Sequence, residues 1–488
     1  MLLAAGIRSS FFSRIIAPRP GGNPRRDLNT YRYPEVFMQF SFHTITIPDY
    51  PNPREYLLYN TRSQAMVKIN HELKDLIDHF GHPDYFALRF QYADDIVKLH
   101  TMGILAESEA EDLSRLKSHM DQVKNAVDTK VFIVTILTTY ACNFKCVYCF
   151  EESSRTNEKM SMLTADQSMD WIKSKILNLG YQSLLLNFYG GEPLLNKPVL
   201  EYVAASMKAW CSRQGISFKF MMQTNGYLMT PEVVDRYKEF GLKQVRISLD
   251  GVGEDHDKHR PLRGGGSTFE TIMKNITASC EKLPIAIAVS YDKGNINPIE
   301  RLLAYCHDKG ILKKLGRFVF SPLHPTLGPD GQTEKIQNAH CACNYEDDAL
   351  VQSNRKIREL MAAYGLEMKS GVSTFVCPVT RHESGLTIDQ QGRLFKCNSM
   401  LGHPELSTGH VKDNDYNKQH ETFIHLDVYN QCPQDCAYMP MCSGGCRLSS
   451  FLKNQNFRTP ACHKPYLNKM APEIIKQEYQ KKISTAAL

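Results

Sequence analysis

The chain has 488 residues, of which 42% are hydrophobic, so it is long enough for two or three domains with buried cores. Its formal net charge of +6 is spread along the sequence without a dense basic run beyond the first residues, which argues against nucleic acid as a partner. Because there is no secretory signal and no apolar run long enough to cross a bilayer, we expect a cytoplasmic protein without a membrane partner.

The N-terminal part of the sequence predicts an extension followed by a small domain. Residues 1–37 are rich in arginine and superficially resemble a transit peptide, but we expect a disordered extension or an upstream start codon. Residues 38–127 contain strand-like runs at Tyr56–Tyr59 and Met66–Ile69, a helix from about Asn70, and Gly103 at a helix C-cap position. This pattern predicts a winged-helix-like domain, which ends in a charged connecting helix.

Six β-branched or aromatic runs then alternate with segments that have helix-start chemistry, over residues 128–327. Such runs suit buried parallel strands. They begin at Val131, Leu184, Phe218, Val245, Ile285 and Arg317. The helix starts are assigned to Thr164 with Gln167, to Thr230-Pro231 and to Ser267 with Glu270. The fold class is therefore α/β, with a parallel sheet curled into a partial (β/α)6 barrel whose chemistry lies at the C-terminal strand ends.

After a less periodic bridge at residues 328–374, the remainder, 375–488, is turn-rich and dense in cysteine. Ten of the fifteen cysteines fall into two spaced groups, Cys142 to Cys149 and Cys377 to Cys462. Disulfides would explain such spacing in a secreted protein. In a cytosolic one, clustered cysteines more often bind metal.

The first group, Cys142-x3-Cys146-x2-Cys149, directly follows the first barrel strand. Three thiolates at this spacing can hold three irons of a 4Fe-4S cluster and leave the fourth iron open, unlike the four-cysteine sites of electron carriers. The motif resembles the signature of the radical S-adenosylmethionine (SAM) superfamily. That resemblance implies that SAM binds the open iron and is cleaved reductively to a 5′-deoxyadenosyl radical. A zinc site or buried structural cysteines are the alternative interpretation.

Further segments at the strand ends resemble the SAM-binding segments of this superfamily. Gly190-Gly191-Glu192 resembles the segment that receives the amino group of SAM, and glycines let the backbone approach a ligand closely. Thr224-Asn225 and Ser248-Leu-Asp250 resemble the segments that contact the ribose and carboxylate, although such residues are also common N-caps. Arg260 is a candidate for pairing with a carboxylate, or a solvated loop charge, and Tyr148 is a candidate for stacking on adenine or packing on the cluster.

The C-terminal cysteines resemble a SPASM domain, which holds two auxiliary 4Fe-4S clusters and would bring the total to three. By this resemblance Cys432, Cys436, Cys442 and Cys462 hold the distal cluster, and Cys377, Cys397 and Cys446 hold the nearer one. Cys432 and Cys436 are separated by three residues where the family usually has two. The fourth ligand of the nearer cluster is left open between Cys341, Cys343, His382 and none, and zinc knuckles remain an alternative for the whole group.

The resemblance implies a polypeptide substrate, and two branches compete. Anaerobic sulfatase-maturating enzymes, which make formylglycine, place an Asp after the second SPASM cysteine, but here that residue is Asn398, which cannot act as a base. Maturases of ribosomally made peptides carry an N-terminal domain that binds a precursor as an added strand, for which Tyr56–Ile69 is the candidate edge, unless the domain is only a structural cap.

We therefore expect a peptide-modifying enzyme that makes a thioether or carbon-carbon crosslink or epimerises a residue, with flavodoxin or ferredoxin as electron donor. A non-catalytic metal-binding interaction protein is a third interpretation. The sequence assigns no catalytic residue.

Overall fold

The computed structural model describes residues 37–126, 130–149, 151–152, 155–292, 296–323, 325–328, 333–334, 348–366, 376–383, 385–413 and 415–486. The predicted N-terminal extension, apart from Phe37, and the two candidate ligands Cys341 and Cys343 lie outside these residues. Among the described residues, no helix combines the length and apolar character needed to cross a membrane.

The N-terminal part combines a three-stranded sheet with four helices. Its elements in chain order are β1 (Gln39–Phe40), β2 (Thr44–Pro48), β3 (Glu55–Asn60), β4 (Met66–Asn70), α1 (His71–Asp78), α2 (Phe86–Gln91), α3 (Ala93–Thr101), β5 (Leu105–Ala106) and α4 (Glu109–Asn125). Strand β3 lies between β2 and β4, and both pairings are antiparallel. The candidate edge Tyr56–Ile69 is therefore wrong for its first half, because the unpredicted β2 covers β3. Only β4 offers a free edge within that range.

This sheet packs on the C-terminal part of the chain as well as on its own helices. Ile47, Leu57 and Tyr59 share one buried cluster with Met470 and Ile475 of the last helix. The Thr61 hydroxyl also donates to the carbonyl of Ala437, 2.5 Å away. The N-terminal sheet is thus held against the C-terminal cysteine-rich region.

The middle of the chain confirms the predicted partial barrel. Its elements are β6 (Val131–Leu137), α5 (Met162–Leu179), β7 (Ser183–Tyr189), α6 (Lys197–Arg213), β8 (Ser217–Thr224), α7 (Pro231–Phe240), β9 (Leu242–Ser248), α8 (Glu254–His259), α9 (Phe269–Ser279), β10 (Ile285–Tyr291), α10 (Ile296–Asp308) and β11 (Arg317–Pro322). The six strands are parallel and neighbour one another in chain order from β6 to β11. Alternate residues face the helices and form one buried core.

Two of the three predicted helix starts differ from the structure. Helix α5 begins one turn earlier than expected, because the Ser161 hydroxyl accepts from the backbone N–H of Thr164 and so takes the N-cap. At α9 the cap comes from outside the helix, since the Asp257 carboxylate accepts from the N–H groups of Thr268 and Phe269 at 2.9 Å. Only Thr230 caps its helix as the sequence predicts.

The C-terminal part continues the barrel sheet. Its elements are β12 (Thr326–Leu327), β13 (Thr333–Glu334), α11 (Asp348–Ala363), β14 (Leu386–Ile388), β15 (Arg393–Phe395), β16 (Gly409–His410), α12 (Lys418–Ile424), α13 (Met439–Cys442), α14 (Arg447–Asn454) and α15 (Lys464–Ala486). Strand β14 pairs in parallel with β6, and β15 and β16 follow in antiparallel order. In the described part of the chain, the barrel and these three strands form one nine-stranded sheet.

Candidate active site

A cavity of about 430 Å³ lies at the C-terminal ends of the barrel strands. This is the edge at which parallel α/β barrels carry their chemistry, because the loops that follow the strands meet there. The wall contains all three cysteines of the first group and seven of the nine residues assigned to SAM binding. The lining members of these sets are Cys142, Cys146, Cys149, Tyr148, Gly190, Gly191, Thr224, Asn225, Ser248 and Arg260.

The two glycines after β7 allow their loop to lie against the chain segment that leads to Cys142. Gly191 donates its N–H to the carbonyl of Thr139 at 3.0 Å, and a Cβ on Gly191 would lie 2.4 Å from the carbonyl oxygens of Tyr140 and Ala141. Gly190 has a φ of +144°, which side-chain-bearing residues rarely adopt. Glycine is therefore required here for close backbone contact, which brings the β7 loop next to the thiols.

Each thiol of the first group has its own N–H donor. Arg155 Nη2 lies 3.0 Å from Cys149 Sγ, Arg260 Nη1 lies 3.9 Å from Cys146 Sγ, and Asn225 Nδ2 lies 3.9 Å from Cys142 Sγ. Burial raises the pKa of Cys146 to about 11 and that of Cys149 to about 12. Thiols in such a site become thiolates only beside strong positive charge, such as iron, and N–H donors to the sulfurs tune a cluster. The donor set therefore fits an iron-sulfur cluster.

Glu192 and Asp250, the two remaining assigned residues, lie behind the cavity wall. The buried Glu192 carboxylate accepts from the Thr224 hydroxyl at 2.8 Å and from the backbone N–H of Asn225 at 2.9 Å. Burial raises its pKa despite these donors. Its geometry makes Glu192 a link between two strand ends, whereas the resemblance implied a contact with the amino group of SAM.

Asp250 is fully buried and anchors two residues that do line the cavity. Its carboxylate accepts from Arg260 Nε at 2.5 Å, from the backbone N–H of Ser290 at 2.8 Å and from the Tyr148 hydroxyl. Although burial would raise its pKa, the charges of Arg260 and His256 hold it below the ordinary value. The Arg260 guanidinium also lies over the Tyr148 ring, 5.1 Å from its centroid. Asp250 therefore fixes the positions of Tyr148 and Arg260.

Several cavity residues were not singled out from the sequence. Gln223 and Arg246 lie on β8 and β9, at positions that alternate with the buried outer face, so strand periodicity was a usable signal. Glu151 and Arg155 follow the cysteine motif, and Glu151 is a buried carboxyl whose Oε1 has no hydrogen-bond partner among the described residues. Burial raises the pKa of Glu151 to about 7.

The C-terminal cysteines separate into two neighbouring sets. Burial raises the pKa of Cys377 to about 12, and the charges of Cys446 and Cys397 add to this increase. Burial likewise raises the pKa of Cys442 to about 12, and the charges of the other cysteines in its own set, the second one, add to this increase. That set consists of Cys432, Cys436, Cys442 and Cys462. Cys397 and Cys446 also pack against the buried cluster that contains Cys377, whereas Cys432 and Cys436 pack against the cluster formed by Leu116, Met120 and Met439.

The set that contains Cys377 adjoins the cavity. Ser399 follows Cys397 by two residues and Leu448 follows Cys446 by two residues, and both line the cavity wall. The candidate ligand His382 has a side chain that is 56% exposed, and its Nδ1 lies 3.1 Å from Glu383. Its ring contacts Tyr416 and His420.

Arg447 lies near cysteines of both sets. Its guanidinium is fully buried and donates to the carbonyls of Phe457, Thr459, Gly444 and Gly445. Burial lowers its pKa, and the sulfurs of Cys377 and Cys446 from one set and Cys432 and Cys442 from the other oppose this effect. A fixed cation therefore stands near both sets.

No three His, Cys, Asp or Glu side chains within the described ranges converge on the position of a single metal ion. Cys142, Cys146 and Cys149 line one cavity, and in a cubane each cysteine binds a different iron, so its ligands need not converge on one metal position.

These features define an α/β-barrel protein with a thiol-lined cavity at the C-terminal ends of its strands. Residues 136–306, which run from the end of β6 to α10, match the model of the Radical SAM superfamily.

The curated relatives resemble only part of the chain. An uncharacterized protein of Methanocaldococcus jannaschii is 29% identical over 198 residues, which cover 39% of this chain and 65% of that protein. Fe-coproporphyrin III synthase of Methanosarcina barkeri is 27% identical over 202 residues, or 41% and 46% of the two chains. Radical SAM cyclopropyl synthase TigE of Paramaledivibacter caminithermalis is 20% identical over 224 residues, or 43% and 45%. The chain thus spans about half to two thirds of the length of these relatives.

A solved structure shares a larger part of the fold. Native anSMEcpe with bound AdoMet, which is SAM, superposes with a TM-score of 0.55 at 17% identity, covering 71% of this chain and 98% of that chain. At this identity the likeness establishes a shared fold.

Proposed function

We propose that the protein is a radical SAM enzyme that modifies a ribosomally made peptide. The observation that carries the proposal is the cavity itself, in which three thiols with separate N–H donors face the strand-end residues of a barrel that matches the Radical SAM superfamily model. Cys142, Cys146 and Cys149 would hold a 4Fe-4S cluster with one open iron. When bound, the cluster and SAM supply a 5′-deoxyadenosyl radical that abstracts hydrogen from an unactivated carbon.

The protein's own residues bind and orient SAM in this proposal. The backbone at Gly190 and Gly191 is open to the amino group, and Thr224, Asn225, Ser248 and Arg260 offer hydrogen-bonding groups on the same wall. Glu192 and Asp250 act from behind this wall by fixing Thr224 and Arg260. Fixed donors around an enclosed site keep the target carbon oriented and limit the entry of water.

We further propose that the two C-terminal cysteine sets hold auxiliary 4Fe-4S clusters, as in SPASM domains. Cys377, Cys397 and Cys446 would hold the nearer cluster, and Cys432, Cys436, Cys442 and Cys462 the distal one. The contact of Ser399 and Leu448 with the cavity supports a role in accepting the electron left after hydrogen abstraction, or in binding a substrate thiolate. An external donor such as flavodoxin or ferredoxin would supply the electron that cleaves SAM.

A peptide substrate is supported by the N-terminal sheet. Strand β4 leaves one edge unpaired among the described residues, and an extended peptide can add to such an edge through main-chain hydrogen bonds. One form of the anSMEcpe structure holds AdoMet together with a Cp18Cys peptide. The sheet packs against the cysteine-rich region. Residues of the same region line the cavity, so this region connects β4 with the proposed radical site.

Sulfatase maturation is less well supported. Asn398 stands where those enzymes place an aspartate, and its Oδ1 accepts from the Thr387 hydroxyl at 2.6 Å. An amide cannot take up the proton that formylglycine formation releases.

The test combines three measurements on anaerobically purified full-length protein. We expect about twelve irons per chain, from three cubanes, and release of 5′-deoxyadenosine when SAM and dithionite are added. Coexpression with any short open reading frame that is found beside the gene should lower the mass of the encoded peptide by two hydrogens for a crosslink. An unchanged mass together with residues of inverted configuration would indicate epimerisation. Absence of SAM cleavage would refute the enzyme, and formylglycine on a sulfatase peptide would support the alternative.

A further inference from the structure

The cavity wall carries an arginine that has no counter-charge among the described residues. Three arginines line the cavity, and two of them have carboxylate partners: Arg155 with Glu152 at 2.8 Å and Arg260 with Asp250 at 2.5 Å. The third, Arg246, makes no hydrogen bond or ion pair with any described residue. A partly buried guanidinium without an anion is costly, unless its usual partner is a ligand.

A second arginine lies in the same row of the sheet. Gln223 pairs with Arg246, Arg246 with Ala286, and Ala286 with Arg317, across β8, β9, β10 and β11. The small side chain of Ala286 therefore lies between the two arginines. Arg317 Nε is buried and has no hydrogen-bond partner in the part of the chain that the structure describes.

The electrostatic surroundings of Arg246 are positive. Burial lowers the pKa of Arg246, and the other charge that acts on it is Arg317, which lowers it further. The acids nearest the cavity respond to other cations: Glu151 to Arg155, and Asp250 to Arg260. An anion that enters this end of the cavity would therefore meet Arg246 in the wall with the charge of Arg317 nearby and, among the described residues, no competing carboxylate.

Arg246 also lies below the level assigned to SAM. It precedes Ser248 by two residues on β9, so both face the interior, and at the usual rise its Cα is about 7 Å deeper in the barrel. The carboxylate of SAM is assigned to the upper level, with Ser248 and Arg260. The deeper position, at Arg246, is therefore open to a group of the molecule that the SAM-derived radical attacks.

We propose that Arg246, flanked by Arg317, forms a subsite that binds a carboxylate of the peptide substrate. A guanidinium binds a carboxylate through two parallel N–H···O bonds, which fix orientation as well as position. The carboxylate is an aspartate or glutamate side chain or a peptide C-terminus. Its binding places a neighbouring carbon below the SAM level. This inference rests on the proposed function for the identity of the substrate.

The first experiment measures protection of Arg246 in the cluster-loaded full-length protein. Phenylglyoxal modification of individual arginines is followed by peptide mass mapping. The probes are N-acetylglutamic acid α-amide, N-acetylalanine and the neutral N-acetylglutamine amide. We expect one of the two acids to slow modification of Arg246 about tenfold at saturation, and the glutamine amide to have no effect. The more effective acid identifies the source as a side chain or a C-terminus.

Variants provide the second arm. Arg246→Gln should weaken binding of the effective acid about tenfold or more in ligand-observed NMR, while Arg246→Lys should retain part of it. Arg236→Gln, at a surface arginine whose side chain is 58% exposed, is the matched control and should bind as the unaltered protein does.

Three results would overturn the subsite: no protection by either acid, equal protection by the glutamine amide, or protection of Arg246 by SAM alone. SAM cleavage and iron content are measured on the same samples. Acid binding without SAM cleavage would support the subsite and refute the proposed function. SAM cleavage without acid binding would support the proposed function and refute the subsite.

Discussion

The Thr224 hydroxyl lies 2.8 Å from both carboxylate oxygens of Glu192 and joins the end of β8 to the loop after β7. The backbone N–H of Asn225 donates to the same carboxylate. Both cavity-lining segments are therefore fixed by one buried acid. The Gly-Gly-Glu segment uses its glycines on the cavity side and its carboxylate on the protein side.

Thr224→Val should destabilise the protein by about 1–3 kcal/mol, because it removes a donor from a buried carboxylate. Thr224→Ser keeps the hydroxyl and is the matched control. In the valine variant, the free energy of unfolding in urea, measured anaerobically, should fall and the dissociation constant of SAM should rise. Equal stability of the two variants would show that the hydrogen bond is not important.

Cys146→Ala should abolish SAM cleavage and reduce the iron content by about four per chain, because a cubane does not persist on two thiolates. Cys211→Ala is the control, since Cys211 is buried in α6 away from both cysteine groups. Iron analysis and 5′-deoxyadenosine release measure the outcome. Retained SAM cleavage in Cys146→Ala would contradict the assignment of the triplet.

Arg447→Met should lower the reduction potentials of the proposed auxiliary clusters, because a buried cation near both cysteine sets would stabilise the reduced, more negative state. We expect a shift of about 60 mV or more, which is a tenfold change for a one-electron couple. Potentiometric titration followed by EPR measures it. Arg447→Lys keeps the positive charge, so its reduction potentials should shift less than those of the methionine variant. If the methionine variant loses its clusters, the lysine variant is compared with the unaltered protein. Equal potentials in Arg447→Lys, Arg447→Met and the unaltered protein would contradict this role.

His256 should make the protein less stable in acid. Its ring is fully buried, Nδ1 accepts from the backbone N–H of Asp250 at 3.3 Å, and burial lowers its pKa from 6.5 to about 4. Between these values the unfolded chain binds a proton that the folded protein does not, so the free energy of unfolding falls by about 1.4 kcal/mol per pH unit as pH falls. Urea unfolding between pH 7.5 and 4.5 measures the slope.

His256→Gln retains an acceptor for the Asp250 N–H and should flatten this dependence by about one proton. His425→Gln, at a side chain that is 74% exposed, is the control. If both variants keep the original slope, another group is responsible for the acid sensitivity.

The sequence predicts the barrel well because its strands carry a strong local signal. Each of the six β-branched or aromatic runs is a strand, and the cysteine triplet follows β6 as expected. The start of α5 was misplaced because Ser161 and Thr164 both carry N-cap chemistry three residues apart, and only the fold selects between them.

What the sequence could not predict depends on contacts between distant segments. The partner of Glu192 is 32 residues away along the chain, and the cap of α9 comes from Asp257 across a loop. Strands β14 to β16 have two or three residues each and are stabilised by the neighbouring barrel strand rather than by their own composition. Strand periodicity can place Arg246 on the inner face of β9, but its lack of a carboxylate partner among the described residues becomes apparent only when the facing strands are known.

The pairing of β14 with β6 also affects how such proteins can be shortened or recombined. Leu386 to Ile388 pair with Val134 to Ile136 and cover the outer edge of the first barrel strand. A chain that ended before Leu386 would present that edge, with its free N–H and C=O groups, to other molecules, and we expect it to aggregate. A foreign C-terminal module could replace the native one only if it brought a strand equivalent to β14. A segment that is exchanged between such proteins must therefore include this edge-covering strand as well as the cysteines.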